Sequence, residues 1–394
     1  MSKKVRNSGV AIACAGLFAA VVAAAPARAA DGVSVSGNFT LDLVDVAHGG
    51  TAHELRELDK LSVTVDADFE KQGWRGGSGS LTFMNTSGGM PNDDAGTLEG
   101  IDNNEVTIRR ARIFEAWLQQ DFGNDRGSLK AGLVDLNSEF YVNGAAGVLL
   151  APQFGIGSEL AATGPGGPST YPQSGLAVRL ELKPTNDSYV RAGLFNAHVG
   201  DLGDRGGVDT SFDEGVIEIA EAGWESDGKG KLALGVWRYS KSQDDLYDVD
   251  PLGAPVQRTS SGGYLLAEKM LLVGGDAGPT VTGFVRAGLS DGNTGPFRGS
   301  WQAGMLIGHP VASRPDSQIS FAVDQALLGD KFRAASAAAG APLGSNETHF
   351  ELTYLDNLSK HLSVQPDVQY VVNPGGDAAA KSALVFMLRL QAGF

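Results

Sequence analysis

The sequence predicts an all-β fold, a transmembrane antiparallel β-barrel of about 16 strands. Three observations support this prediction: an amphipathic strand at the C-terminus, a series of similar strands along the chain, and connections of two lengths. Together they predict long extracellular loops, one of which folds into the lumen.

The C-terminal segment, residues 383–394, alternates two kinds of side chain with a period of two, which places them on opposite faces of a strand. One face carries Arg389, Gln391 and Gly393. Such a strand is typical of a wall with lipid on one side and water on the other. A half-buried strand of a soluble sandwich has the same pattern, so this segment alone leaves both open. The other face is wholly apolar and comprises Leu384, Phe386, Leu388, Leu390, Ala392 and Phe394.

Similar alternation recurs along the whole chain, and the number and even spacing of the segments favour a barrel. After residue 30 no apolar stretch approaches the ~20 residues that a transmembrane helix needs. A closed barrel is the other structure that satisfies every backbone group in lipid. The alternating segments are 61–69, 129–135, 176–182, 189–197, 231–239, 280–289, 301–307, 318–324, 349–354 and 362–373.

The connections are either short or long, as expected for the two rims of an outer-membrane barrel. Residues 183–187 and 356–360 are predicted short turns. Residues 137–174 contain the apolar run 147–151 and Phe154, which is unusual for a loop in water. We expect this loop to fold into the barrel and narrow it, with a surface lid as the alternative. The other long segments lie at about 85–105, 198–214, 241–262 and 329–347.

The N-terminus predicts export. Lys3, Lys4 and Arg6 precede an apolar run and the small-residue site Ala27-Arg28-Ala29, so residues 1–29 are expected to be a signal peptide that is removed. Residues 30–394 then form a single outer-membrane β-barrel domain. The roughly 365 remaining residues, at ~10 per strand plus connections, give about 16 strands, with fourteen or eighteen as alternatives.

Charge and motifs exclude several functions. The formal net charge is −15, which argues against nucleic-acid binding and against a phosphate channel whose basic residues are not concentrated in the lumen. The six histidines form no metal or triad pattern, and no nucleophile elbow, zinc-protease or phosphate-loop motif occurs. The acidic loops lack the ligand spacing of a calcium loop. We therefore expect a protein that is not an enzyme and has no cofactor or metal.

Charged residues on the polar faces of the predicted strands are expected to point into the lumen, because a charge facing lipid costs ~2–4 kcal/mol for Arg or Lys near the midplane. They either hydrate a wide channel or converge at a constriction. The candidates are Arg179, Glu181, Arg191, Arg286, Asp324, Glu351, Asp367, Gln369 and Arg389.

Residues 106–120 are the densest candidate for a binding surface. If Phe114, Ala116 and Leu118 face lipid, then Arg110 and Arg112 lie above the membrane; the opposite phase stays open. Aromatic rings beside charged groups suit a sugar, because the ring stacks on the pyranose and the charged groups bind its hydroxyls. A place in the interfacial aromatic girdle is the alternative for the tryptophan. The residues then expected to point inward are Arg109, Glu115, Trp117 and Gln119.

Four segments of the chain, at residues 112–118, 131–140, 170–172 and 362–376, resemble the carbohydrate-selective porin family of the OprB type, in the same order. The most specific is Gln365-Pro366-Asp367-Val368-Gln369-Tyr370, continuing to Asn373-Pro374-Gly375-Gly376. The resemblance spans about residues 35–394. It implies a 16-stranded barrel that passes sugars such as glucose through a charged and aromatic constriction, and it adds Asp135 and Glu139 to the pore-lining residues. Gly132-Leu133 replaces the usual Gly-Lys pair, which leaves the preferred sugar open.

We therefore expect passive sugar diffusion across the cell outer membrane. A general or anion-preferring porin is the alternative; a barrel enzyme and a soluble lectin are less favoured. The expected partners are sugars, outer-membrane lipid and lipopolysaccharide, and the barrel assembly machinery through Phe394. The barrel is either a homotrimer or a monomer.

Overall fold

The computed structural model describes residues 31–200, 207–274 and 278–394. Within these ranges sixteen strands form one closed antiparallel barrel, so the predicted fold class is confirmed. Neighbours in the chain pair throughout, except that β9 pairs with β12 around the separate hairpin β10–β11, and β18 closes the barrel on β1. The strands are β1 (Val33–His48), β2 (Arg56–Asp68), β3 (Gly77–Gly88), β4 (Ala111–Phe122), β5 (Gly127–Val134), β6 (Gly175–Leu182), β7 (Ser188–Asn196), β8 (Val216–Ser226), β9 (Gly230–Tyr239), β10 (Gln243–Val249), β11 (Pro255–Arg258), β12 (Ser261–Leu272), β13 (Thr280–Ser290), β14 (Phe297–Gly308), β15 (Gln318–Leu328), β16 (Asn346–Ser359), β17 (Leu362–Val372) and β18 (Ala383–Gly393).

Alternation along the strands separates an apolar outer surface from an inner wall. On β18, Phe386 is 49% exposed, whereas its neighbours Val385 and Met387 are buried. Val285 of β13 and Leu352 of β16 are likewise exposed apolar side chains. The barrel therefore presents aliphatic and aromatic side chains to its surroundings, as a wall in lipid requires.

Helices play a small part in this fold. They are α1 (Pro91–Ala95), α2 (Ser158–Ala161) and α3 (Asp330–Ala338). In the described ranges no helix combines the length and the apolar character needed to cross a membrane. Short 3-10 turns occupy Glu70–Gln72, Leu136–Ser138, Gly144–Ala146, Pro152–Phe154 and Pro374–Gly376.

The two rims differ as the connection lengths predict. One rim has short turns, such as residues 123–126 and 183–187, together with the start of β1 and the end of β18. The predicted turn at 356–360 is shorter than expected, because β16 continues to Ser359 and pairs there with Leu362. The opposite rim carries the long connections, residues 89–110, 135–174, 197–215, 240–260, 329–345 and 373–382.

Ion pairs join two of the long connections outside the barrel. Lys331, at the start of α3, contacts Asp245 and lies 2.7 Å from Asp248 Oδ2, both on β10. Arg258 of β11 adds a contact of 3.4 Å to Asp245 Oδ2. The backbone N–H of Leu246 also donates to the Asn293 carbonyl over 2.9 Å. The β10–β11 hairpin is therefore fixed against its neighbouring loops on both sides.

Candidate functional site

Residues 135–174, here named the inner loop, lie inside the barrel against its wall. Phe140 belongs to a buried cluster with Ile219 of β8 and Trp237 of β9. Phe154 belongs to a second cluster with Phe284 of β13. The apolar residues of this loop thus pack on apolar residues that point inward from the strands, and the loop narrows the lumen.

Glutamates of the wall hold the inner loop through its backbone. Glu351 of β16 accepts hydrogen bonds from the N–H groups of Leu150 and Ala151, the latter at 3.0 Å. A carboxylate that accepts two consecutive N–H groups forms strong, charge-assisted hydrogen bonds where the backbone lacks partners of its own. Glu268 of β12 does the same with the N–H groups of Gly144 at 2.7 Å and Ala145 at 3.2 Å, whereas Glu221 of β8 accepts the single N–H of Tyr141 at 2.9 Å.

A second segment, residues 89–110, covers another part of the inner wall. Ile101 is buried with Val44 of β1 and Val385 of β18. Glu347 of β16 accepts hydrogen bonds from the N–H groups of Leu98 at 3.0 Å and Gly375 at 2.6 Å. This segment therefore lines the lumen where the barrel closes.

Trp117, Lys130, Glu139 and Arg179 form one polar cluster at the base of the inner loop. The Lys130 ammonium lies 3.8 Å from the centre of the Trp117 ring and contacts Glu139. Arg179 Nε lies 2.7 Å from Glu139 Oε2, and its Nη2 donates to Gln119 Oε1 at 2.9 Å. One carboxylate of the inner loop thus holds two cations of the wall, with a partly exposed tryptophan beside them.

Arg191 and Arg286 are held by the inner loop as well. Arg191 pairs with Glu181 and donates to the Glu139 carbonyl over 2.7 Å. Arg286 donates to the Gly155 carbonyl over 3.0 Å, and its guanidinium carbon lies 4.6 Å from the centre of the Tyr141 ring. Both cations therefore serve first as contacts between the wall and the loop.

Arg389 of β18 lies among acidic and amide groups at the barrel closure. It forms an ion pair with Asp42 of β1, lies 3.3 Å from Asp102 Oδ1, and donates to Asn103 Oδ1 at 2.8 Å. The side chain is buried, and each of these partners comes from a different element than Arg389 itself. This cluster links the first strand, the last strand and segment 89–110.

Within residues 106–120 the structure corrects three positions. The strand begins only at Ala111, so Arg109 lies on the preceding loop, with an exposed side chain. Arg112 lies on strand β4 rather than on the loop, with its side chain buried on the inner face, and donates to the Pro172 carbonyl at 2.9 Å. Phe114 does not continue the lipid face: the register shifts there, and its ring packs edge-on against Tyr171 at 6.1 Å.

This β-bulge at Phe114 explains the altered phase. Glu115 pairs with Thr82 while Ile113 pairs with Phe83, so one extra residue sits between two pairs. Beyond the bulge Glu115 points inward, where it accepts a hydrogen bond from the Asp135 N–H at 3.2 Å. Trp117 and Gln119 also point inward, in the phase that the sequence pattern favours.

The inner faces of β2 and β3 carry short hydroxyl side chains. Thr64 and Thr82 are joined by a hydrogen bond of 3.0 Å between their hydroxyl oxygens. Ser62, Thr64 and Ser80 are partly exposed inside the barrel, next to Glu115. This surface, comprising Ser62, Thr64, Ser80 and Thr82, is named the hydroxyl strip.

Several inward residues were missed by sequence reasoning. Lys60, Glu221 and Glu268 continue the polar phase of their strands, so a longer alternating window would have found them. Lys130 lies within the alternating segment 129–135, on its polar face. Tyr141 gave no such signal, because its position depends on the path of the inner loop. Across the described ranges no three His, Cys, Asp or Glu residues form a group that could hold a metal ion.

Comparisons with known proteins agree with this architecture. The curated Porin B of Pseudomonas aeruginosa is 23% identical over 376 residues, which covers 86% of this chain and 82% of that protein. The high-pH structure of Pseudomonas putida OprB superposes with a TM-score of 0.83 at 22% identity, over 92% of this chain and 94% of that one. The outer membrane channel DcaP of Acinetobacter baumannii gives a TM-score of 0.59 at 13% identity, over 94% and 100% of the two chains.

A match to a family model identifies the family of this chain as well as its fold. The model of the carbohydrate-selective porins of the OprB family matches residues 52–394, which is most of the chain. Family and fold point to a channel of the outer membrane rather than to an enzyme. This chain therefore belongs to the OprB family of carbohydrate-selective porins.

Proposed function

We propose that sugars diffuse passively along the hydroxyl strip, past Glu115 and Trp117, in the space between β2–β4 and the inner loop. The observation that carries this proposal is the hydroxyl strip itself. Its serine and threonine side chains exchange hydrogen bonds with sugar hydroxyls at little cost, because each hydroxyl both donates and accepts. Weak binding at several places lets a sugar enter and leave again.

Trp117 gives this path an aromatic surface. Its ring is partly exposed, and the Lys130 ammonium lies 3.8 Å from the centre of the ring. An aromatic ring stacks on the apolar face of a pyranose, while Glu115 accepts hydrogen bonds from the hydroxyls at its edge. We propose that Glu115 and Trp117 contact the sugar.

The remaining predicted pore residues have a different part in this proposal. They hold the inner loop and the wall in place, because each uses its polar atoms on protein partners. The pore would then owe its shape to them and its sugar contacts to other residues. This group comprises Asp135, Glu139, Arg179, Arg191, Arg286, Glu351 and Arg389, whereas Arg109 would meet solutes at the loop side.

Processing and assembly complete the proposal. Removal of residues 1–29 concerns a segment outside the described residues. Phe394 would be read by the barrel assembly machinery, and either a monomer or a homotrimer could conduct. Swelling of proteoliposomes in isosmotic glucose tests the transport itself: glucose-dependent swelling is expected, and its absence would refute the proposal. Assays with lipid and casein substrates test the expectation that the barrel has no enzymatic activity.

A further inference from the structure

Most cations of the inner wall contact a carboxylate that neutralises their charge. Lys130 and Arg179 share Glu139, and Arg191 pairs with Glu181. The same holds elsewhere on the wall for Lys231 with Glu225 and for Arg389 with Asp42 and Asp102.

Lys60 of β2 differs from these cations. Within residues 31–200, 207–274 and 278–394, no carboxylate oxygen lies within 4.0 Å of its ammonium. The ammonium instead lies 5.0 Å from the centre of the Tyr171 ring of the inner loop. The nearby carboxylates Asp42 and Asp102 bind Arg389. Lys60 is partly exposed on the inner face of β2, so a solute in the lumen would meet this side chain.

Arg112 approaches the same part of the inner loop from β4. Its Nη1 donates to the Pro172 carbonyl and its Nη2 to the Ile108 carbonyl, both at 2.9 Å. Carbonyl groups satisfy these donors but do not cancel the charge. Two strands thus bring positive charge to the Tyr171-Pro172 segment, and neither charge is neutralised by a contacting carboxylate among the described residues.

The hydroxyl strip begins beside Lys60. Ser62 and Thr64 lie two and four residues further on the same face of β2, which places them ~7 and ~13 Å along the strand. A pyranose whose carboxylate binds the Lys60 ammonium would therefore have its ring hydroxyls beside Ser62. An ammonium alone binds any anion. An ammonium next to a row of hydroxyl groups favours an anion that itself carries hydroxyls, because the hydroxyls of the protein form hydrogen bonds with those of the solute.

We propose that this porin accepts sugar acids as well as neutral sugars, and that Lys60 binds their carboxylate. This inference rests on the proposed sugar path and names a further class of solute for it. The attraction acts in an aqueous lumen, so it favours entry without trapping the solute.

Three pyranoses that differ in charge test this inference: glucuronate, glucose and glucosamine. Uptake of each labelled sugar into proteoliposomes at low ionic strength is measured with the wild type and with Lys60→Gln, Lys60→Arg and Lys269→Gln. Lys269 lies on β12 with an exposed side chain, so its substitution makes the same change in net charge away from the lumen. Heat-modifiable migration in gels confirms that each barrel has folded.

We expect the wild type to take up glucuronate about fivefold faster than glucosamine, since one exposed charge interaction is worth up to about a factor of five. Lys60→Gln should bring this ratio close to one and leave glucose uptake unchanged; Lys60→Arg and Lys269→Gln should keep the ratio. A wild-type ratio at or below one, or a ratio that survives Lys60→Gln, overturns the inference. If glucose also fails to enter, the proposed sugar path itself is wrong.

Discussion

Arg389 on the last strand and Asp42 on the first lie directly opposite each other where the barrel closes, and their side chains form a two-pronged ion pair. Arg389 Nε lies 2.7 Å from Asp42 Oδ1, and Nη2 lies 2.8 Å from Oδ2. Asn104 donates to the same carboxylate at 2.6 Å. A buried arginine that joins the two ends of a sheet thus stabilises its closure rather than lining open water.

We expect Arg389→Met to destabilise the folded barrel by roughly 3–5 kcal/mol, because it leaves the buried Asp42 carboxylate without its cation. Urea titration in detergent micelles measures this change. Arg238→Gln is the matched control: it breaks an ion pair with Glu218 whose partners are 66% and 37% exposed, and should change stability little. Equal effects of the two substitutions would contradict the assigned role of Arg389.

Glu351 should control the rigidity of the inner loop. Glu351→Gln keeps the shape of the side chain but places an amide NH₂ against one of the two N–H groups of Leu150 and Ala151. We expect larger current noise and a wider distribution of single-channel conductance in planar bilayers. Glu54→Gln, at a side chain 66% exposed on the rim, is the control. An unchanged noise spectrum in Glu351→Gln would show that this contact does not hold the loop.

The hairpin β10–β11 should detach at acid pH. Burial raises the pKa of Asp245, but the Lys331 ammonium and the N–H groups of Asp248 and Tyr247 lower it more, to about 2. A carboxyl whose pKa is depressed by folding stabilises above its ordinary pKa of about 3.9, and this contribution is lost as the pH falls through the folded value.

The protection of the amides of residues 243–258, measured as the exchange rate relative to the intrinsic rate at the same pH, should therefore stay high from about pH 5 upward and fall as the pH falls from about 4 toward 2. Asp245→Asn should show the low protection already at neutral pH, whereas Asp227→Asn, in a turn at the other rim, should not. Undiminished protection of this hairpin at pH 2 would contradict the prediction.

Phe394 should matter for assembly more than for conductance. Its N–H donates to the Gly37 carbonyl at 3.1 Å, and its ring covers Gly37, where an added Cβ would come within 2.4 Å of it. Deletion of Phe394 should lower the yield of folded barrel in the outer membrane, while the channels that do form conduct normally. Phe394→Tyr keeps an aromatic ring and should assemble normally. Normal yield after the deletion would count against this role.

Sequence periodicity was sufficient to predict most strands of the barrel wall. The C-terminal strand shows why: Phe386 and Arg389 occupy opposite faces in the sequence and in the structure, since a period of two is a local property of the backbone. Strand β3 shows this period only at Leu81 and Phe83, because glycines occupy positions 77 and 79 of the same face. It is defined instead by pairing with β2 and β4 on either side.

The inside of the barrel could be predicted only in part. Inward positions such as Glu351 and Arg389 followed from alternation, but their partners did not, because Leu150 and Asp42 lie far away in the chain. The bulge at Phe114 has no signal in composition. Sequence reasoning therefore found many of the inward-pointing charges, but it did not find the contacts that several of them make with the inner loop.

The most direct test of the account is the current through single barrels in planar bilayers, recorded with and without added glucose or maltodextrin. We predict open channels whose current falls as sugar is added, and a smaller fall in Trp117→Ala. The absence of channels would contradict the porin assignment, and a current insensitive to both sugars would show a general pore without a sugar-binding path.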